Sequence, residues 1–280
     1  MIILFDYDSM LYKANYKIVS ISEIKELYRI GMNREAISEE IVIKSIDRMQ
    51  TIEQKIFEDI ESTGAQITEI RYFVTDCHKS IRKQISAEYK AKRKKNKWAE
   101  AIRKKILRGY SNIFRNDYFE ADDLIADEAN YLRANGIEYI ILSLDKDLQQ
   151  IEGIHYNYYT DIVEEDGREI RVSRGLSITS EFESKYFFWR QMLMGDSSDG
   201  VQGLFKIGIV KATEILDGCI TESQLKLRVC RAYLDHYSYK EYQGKGNKKI
   251  RIKYELNADK AREELEKNYR LLKLGTYEIN

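Results

Sequence analysis

The sequence predicts an α/β fold, a mostly parallel sheet flanked by helices, with a helical region after it. Three observations carry this. A short apolar run at 2–5 and strand-like stretches at 69–75 and 137–143 each stop at or near an aspartate, as strands with carboxylates at their C-terminal ends do. Stretches with apolar residues at helical spacing separate these runs, so strand and helix alternate with short links, as a parallel sheet requires. From Gly195 onward the pattern is mostly helical.

The elements follow in order. Residues 2–5 form a first strand ending at Asp6-Tyr7-Asp8. Ile37 to Glu61 reads as a long amphipathic helix: Val42, Ile46, Met49, Ile52, Ile56 and Ile60 lie three or four apart, and Gly64 suits its stop. Residues 69–75 form a second strand before Asp76, and a basic segment of helical composition runs from about Ile81 to Leu107. A helix from about Glu120 to Ala134 closes at Asn135-Gly136, and the strand 137–143 leads to Asp145 and Asp147. Ile154–Tyr159 reads as another strand, and Asp166-Gly167 as the turn of a hairpin. Thr179 or Ser180 caps a helix carrying Phe182, Tyr186, Trp189 and Met192. Gly203 and Gly208 bracket a tight turn before a helix at 210–216. The stretch 243–249 reads as a loop or hairpin tip, and Asn257 caps a last helix.

The 280 residues suit one large domain or two small ones. With 43% hydrophobic and 33% charged residues, the chain is a folded, charge-rich protein rather than a disordered one. No apolar run approaches the roughly 20 residues of a membrane span, and the N-terminus lacks the pattern of a signal peptide. Cys77, Cys219 and Cys230 are too far apart for a CxxC zinc site or a disulfide framework, so a reducing cytoplasm is expected. His78, His155 and His236 are too scattered for a histidine metal site or a nucleophilic triad.

The 46 basic and 46 acidic residues cancel, but they are segregated. Lys79 to Arg108 holds thirteen basic and two acidic residues; Asp117 to Asp199 holds nineteen acidic and seven basic. A basic arm beside an acidic basin suits a polyanion held by the arm and cations held by the basin. Ligands of such sheets gather at the C-terminal strand ends. Asp6, Asp76, Asp145 and Asp147 lie there, Glu120, Asp122 and Asp123 open a helix, and Asp196 and Asp199 follow another. Singly, each reads as a turn residue or an acidic first helical turn. Together, nine carboxylates at one edge would repel and raise one another's pKa unless hard divalent cations offset them. All-oxygen ligands suit magnesium or manganese. Two such ions about 4 Å apart support phosphodiester hydrolysis.

The motifs resemble the 5′-nuclease family: flap endonucleases, 5′–3′ exonuclease domains, and phage 5′-exonucleases including T-even-type ribonucleases H. The matching residues are Phe5-Asp6, Val74-Thr75-Asp76, Tyr89-Lys90-Ala91-Lys92-Arg93, Glu120-Ala121-Asp122-Asp123, Asp145-Lys146-Asp147-Leu148, Gly195-Asp196-Ser197-Ser198-Asp199-Gly200, and Ile207-Gly208, in family order. The resemblance implies a PIN-like nuclease core over residues 1–194 with a helical arch at about 79–110, and a helix–hairpin–helix region over 195–280.

By the same resemblance, Asp6, Asp76, Glu120 and Asp122 hold a first, catalytic magnesium, and Asp123, Asp145, Asp147, Asp196 and Asp199 hold or influence a second, with manganese able to substitute. Lys90 and Arg93 match arch residues that grip the scissile phosphate. Tyr89 or Trp98 is expected to stack on an unpaired base, and Arg82 to add a phosphate contact. The turn Gly203 to Gly208, with Lys206 and Lys211, is expected to meet duplex phosphates; in the family it also binds potassium. The chain departs from the family there: Phe205-Lys206 replaces a Pro-Gly, and Val210 stands where a lysine is usual.

The implied activity is removal of 5′ flaps or RNA primers during DNA replication, as a 5′–3′ exonuclease or flap endonuclease acting on DNA ends and RNA–DNA hybrids. A monomer is expected, with a replication-protein partner conceivable, no membrane, and a phage origin consistent with the lack of proline. One rival reading is a phosphatase resembling the haloacid dehalogenase family, with Asp6 as nucleophile and Asp8 as acid. Others are a non-catalytic DNA-binding relative and a small RNA-cutting nuclease.

Overall fold

A computed structural model describes all residues except 16–20, 94–96, 111, 159–160, 166–167, 173–174, 244–248, 254–256 and 277–280. The sheet begins with β1 (Ile2–Asp6), which leads directly into α1 (Tyr7–Asn15). Then come α2 (Ile21–Arg29), the long α3 (Arg34–Ser62) and β2 (Glu69–Phe73). Asn33 caps α3 by accepting the Ala36 amide, so the helix starts at Arg34, three residues before the predicted start at Ile37. The basic segment, expected as one helix, is two: α4 (Ile81–Ile85) and α5 (Lys97–Gly109), with turns from 87 to 92 between them. Lys90 takes a positive φ of 53°, which a continuous helix cannot accommodate.

The chain continues through β3 (Ile113–Phe114), α6 (Ala121–Ala134), β4 (Tyr139–Leu142), a short 3-10 turn (Lys146–Gln150) and β5 (Gly153–Asn157). A hairpin of β6 (Asp161–Glu165) and β7 (Arg168–Val172) follows; its Asp166-Gly167 tip lies outside the described residues. β8 (Gly175–Thr179) returns to the sheet and α7 (Glu181–Met194) leaves it. Next are the paired β9 (Gly195–Asp196) and β10 (Val201–Gln202), then α8 (Ile209–Leu216) and α9 (Glu222–Tyr237). Last come the hairpin β11 (Tyr239–Gln243) and β12 (Lys249–Lys253), and α10 (Ala258–Leu272), capped by Asn257.

The six-stranded sheet has the order β3-β2-β1-β4-β5-β8, parallel except for β8. Alternation along β1 sends Ile3 and Phe5 to one face and Ile2 and Leu4 to the other. The first face packs with α1, α3 and α5 through Met10, Met49, Ile56 and Ile102; the second packs with α6 through Ile125, Ala129 and Leu132. A third core joins α7 to α8, α9 and α10 around Trp189, Met192, Leu225 and Tyr233, and Tyr89 of the basic segment is part of it. The division expected after residue 194 falls at the end of α7, whose buried side chains pack with the helices that follow. No helix among the described residues is long and apolar enough to cross a membrane.

Candidate active site

The C-terminal ends of β1 and β4 and the first turn of α6 meet at one edge of the sheet. Asp6 ends β1 almost fully buried, accepting hydrogen bonds from Ser143 Oγ at 2.5 Å and the Ser9 amide at 3.3 Å. Burial, and then the charges of Asp8 and Asp145, push its pKa up to about 7. Asp122 lies within the same field. Burial pushes it well above the usual carboxylate range, and Asp145 and Asp6 push it the same way. Asp147 is raised to about 7 by burial, Asp145 and Asp196. Gln191 of α7 donates to Asp147 Oδ1 at 3.1 Å and Asp196 Oδ2 at 3.4 Å, so the third core braces this end of the basin. Asp196 goes the other way: despite burial, hydrogen bonds from Ser198 and the Asp199 amide lower its pKa.

The basic segment reaches into this basin. Lys90 Nζ lies 2.7 Å from Glu120 Oε2 and 3.6 Å from Asp199 Oδ2, and Arg93 pairs with Asp199. Lys90 and Arg82 outweigh burial and lower the Glu120 pKa. The left-handed turn at Lys90 docks on the acidic loop: the Lys90 amide donates to Asp199 O at 2.8 Å. The loop meets it at Gly200 (φ +75°), where any Cβ would come within 2.7 Å of Glu88 O.

Among the described residues, no group of three or more His, Cys, Asp or Glu is close enough to enclose an ion. The donor chemistry still fits a divalent cation. Asp6, Asp122, Asp145 and Asp147 are hard oxygen donors, and burial together with the charge of neighbouring carboxylates raises the pKa of Asp6, Asp122 and Asp147.

Several expectations are corrected. Asp123 does not face the basin. It is 1% exposed and takes Arg82 bidentately at 2.5 and 2.6 Å, with further hydrogen bonds from the Glu120 amide at 3.1 Å and the Gly275 amide at 3.2 Å. Arg82, expected to touch phosphate, is 4% exposed and saturated inside the protein, donating also to Leu271 O and Lys273 O. Tyr89, expected to stack on a base, is 3% exposed and donates to Glu120 at 2.8 Å and Asp199 at 3.1 Å. The Trp98 side chain lies outside the described residues. Asp76 pairs with Arg115 at 2.6 Å and lies 3.7 Å from His78. Gly203 packs against the Met194 backbone, where a Cβ would come within 2.1 Å. Lys206 (φ 62°) and Lys211 are exposed at the turn, and Gly208 begins α8 with open space around it.

Sequence reasoning missed Ser143, Gln191 and Arg115, which carry no motif. It also missed the work of Asp8, which accepts from the Thr75 amide at 2.8 Å and from Arg103 of α5 at 2.9 Å. Asp8 thereby ties the second helix of the basic segment to the sheet edge. An acid held in that pair does not suit the phosphatase reading, which no other observation supports.

A family model described as the 5′-3′ exonuclease N-terminal resolvase-like domain matches residues 1–173. The D15 protein of bacteriophage T5, solved with metal ions, is 15% identical with a TM-score of 0.53; the match covers 97% of this chain and 88% of that one. A mutant of the T5 5′-exonuclease is 14% identical with a TM-score of 0.52, over 97% of this chain and 86% of that one. These two share the fold, while the family model takes in the strand ends, the basic segment and the α6 turn described above. With more than half its length so matched, the chain belongs to the 5′-3′ exonuclease N-terminal resolvase-like domain family and is a hydrolytic nuclease.

Proposed function

We propose that this nuclease cuts DNA at free 5′ ends and 5′-flap junctions, and RNA–DNA hybrids as well, using divalent cations held in the carboxylate basin. The observation that carries the reading is the gathering of Asp6, Asp122, Asp145 and Asp147 at the sheet edge, from the end of β1, the first turn of α6 and the turn after β4, where burial and their neighbours' charge raise the pKa of Asp6, Asp122 and Asp147. Such crowding is costly in a protein whose only partner there is the solvent. Asp6, Glu120, Asp122, Asp145 and Asp147 would hold magnesium, with Asp196 and Asp199 beside them. The ion, when bound, supplies an activated water and stabilises the leaving oxygen. The T5 D15 protein, which shares the fold, was solved with metal ions.

The rest falls to the chain's own side chains. Lys90 and Arg93 already face anionic oxygens, those of Glu120 and Asp199. A scissile phosphate entering the basin offers them an alternative anion, so the same cations orient the substrate. Gln191 and Ser143 hold the acids in place. Lys206 and Lys211 lie on the exposed turn that would meet a duplex, as a helix–hairpin–helix does. Hydrolysis leaves a 5′-phosphate and a 3′-hydroxyl, products suited to removing primers and flaps during replication.

The test is a time course on a 5′-flap duplex labelled on either strand, beside an RNA–DNA hybrid, with magnesium and with chelator. Magnesium-dependent cuts at the junction or stepwise from the 5′ end are expected. Intact substrates under every condition would refute the reading.

A further inference from the structure

The end of α10 and the residues after it are bound to the acidic turn of α6 through a set of polar contacts, buried at Arg82 and Gln150 and exposed at Thr276. Arg82 lies at their centre. Its Nε donates to Leu271 O at 2.9 Å and its Nη2 to Lys273 O at 3.1 Å. The same guanidinium holds Asp123 with two hydrogen bonds and reaches Glu120 at 3.4 Å. The segment makes its own contacts as well. The Gly275 amide donates to Asp123 at 3.2 Å, and the Thr276 amide to Asp127 Oδ1 at 3.0 Å, one turn further along α6. Gln150, at the end of the 3-10 turn that begins after Asp145, donates to Leu272 O at 2.8 Å and accepts from the Leu274 amide at 3.2 Å.

These contacts converge on two pieces of backbone. One is the turn from Glu120 to Asp123, fixed by the Asp123 carboxylate accepting the Glu120 amide. The other is the 3-10 turn, whose first residues follow Asp145 and include Asp147. Both pieces carry basin carboxylates; Arg82 touches one of them, Glu120, at 3.4 Å from the buried side, while residues 271–276 bond to Arg82, Asp123, Asp127 and Gln150 rather than to a basin carboxylate. Arg82 shares no oxygen with Asp122, yet its partner Asp123 is the next residue, so the direction of the Asp122 side chain follows from how Asp123 is held.

We propose that Arg82 and the segment 271–276 form a strap that positions Glu120, Asp122 and Asp147 for divalent-cation binding, with Arg82 as a positioning residue rather than a contact to nucleic acid. The strap rests on the nuclease reading above, and it adds to the basin a support drawn from the far end of the chain. Outer partners that orient ligands commonly change metal affinity or activity by about 10–100-fold when removed.

Two variants of the full chain test this. Arg82→Lys keeps the charge but loses the planar fork that serves Asp123 and two carbonyls at once. Gly275→Ala leaves Arg82 intact. It strains a backbone at φ +117° and brings a Cβ within 3.2 Å of Asp127 Oδ1, so it loosens the strap from outside. Each is read by calorimetric titration with manganese in the absence of nucleic acid, by kcat and KM on a 5′-flap duplex, and by thermal melting. The expected result is manganese affinity weakened about 10-fold or more in both folded variants, kcat lowered, and KM for DNA little changed. Wild-type manganese affinity and kcat in a variant with a lowered melting temperature would overturn the strap and leave only a structural role. A rise in KM alone would also overturn it, by returning Arg82 to the phosphate-binding role. If Arg82→Lys fails to fold, Gly275→Ala decides alone. Wild-type protein that binds manganese but cuts nothing would count against the nuclease reading, while the affinity comparison would still judge the strap.

Discussion

Asp122 and Asp123 are neighbours in sequence and opposites in environment. Asp122 faces the basin, where Asp145 and Asp6 add to burial and hold its pKa far above the ordinary range. Asp123, one residue on, turns into the protein and meets Arg82 fork to fork. Burial still raises its pKa, but Arg82 opposes the rise. Around Asp6, Asp122 and Asp147 the basin is thus a region of repelled charge, while Asp123 beneath them is compensated by Arg82, as Glu120 and Asp199 at the basin's other side are by Lys90 and Arg93. A helix start places Asp122 and Asp123 in these two settings, because successive residues of a first turn point in different directions. Charge left unpaired marks where a ligand of opposite sign is wanted; charge that is paired and saturated marks where the fold is held together.

The largest expected effect is on the paired side. Asp123→Asn leaves the Arg82 guanidinium buried against a neutral amide and should cost about 3–5 kcal/mol of stability, read by denaturant unfolding. A loss well under 1 kcal/mol would mean that Glu120 and the two carbonyls suffice for Arg82.

Asp122→Asn should do the reverse. Metal-free stability should be unchanged or higher, since a repelled carboxylate is removed, while magnesium-dependent cleavage falls by about 100-fold or more, at least the loss known for outer partners. Cleavage at the wild-type rate would remove Asp122 from the site.

The same asymmetry gives a pH signature. Asp6 and Asp147 have folded pKa values of about 7 against an ordinary 3.8. Between these values the native state keeps protons that the unfolded state has released. Metal-free stability should therefore fall as pH rises from about 4 to about 7. Asp122 has the same sign, whereas Glu120, whose pKa is lowered, contributes stability that is lost only as pH falls below its ordinary 4.5. Melting temperatures across this range, with chelator and with saturating magnesium, check it. The slope should flatten with the metal, and a metal-free slope of opposite sign would contradict the crowding.

The smallest effect lies away from both regions. Lys206→Gly relieves a left-handed residue and should stabilise the protein by about 1 kcal/mol. If Lys206 grips duplex phosphates, the same change weakens DNA binding and reduces its salt dependence. Unaltered affinity would free the turn from that role.

The sheet and the acidic edge were legible because β1, β2 and β4 are short stretches rich in apolar and aromatic residues that stop near Asp6, Asp76 and Asp145, too short for helices and separated by stretches of helical spacing. The start of α6 was legible for the same reason as its chemistry, an acidic first turn. The directions of the basic residues were not. Arg82, Lys90 and Arg93 read alike as phosphate contacts, yet Arg82 is buried against Asp123 while Lys90 and Arg93 lie on Glu120 and Asp199. That difference is set by the break between α4 and α5 and by residues 271–276, nearly two hundred positions away. Tyr89 was misplaced for a related reason, since an aromatic in a basic segment suggests stacking until the third core is seen to enclose it. Gln191 and Ser143 had no local signal, because an amide or hydroxyl that braces a carboxylate looks like any other polar residue in sequence.

The central claim is that the repelled carboxylates of the basin are where the divalent cation binds. Titrating magnesium into unbuffered, nucleic-acid-free protein between about pH 6 and pH 7, and recording the protons released, tests it most directly. Asp6 and Asp147 are substantially protonated in that range, so binding should release protons. The release should shrink toward pH 8, where these acids are already ionised, and should be diminished in Asp6→Asn and Asp147→Asn. Magnesium binding with no proton release at any pH in that range would place the ion elsewhere and contradict the account.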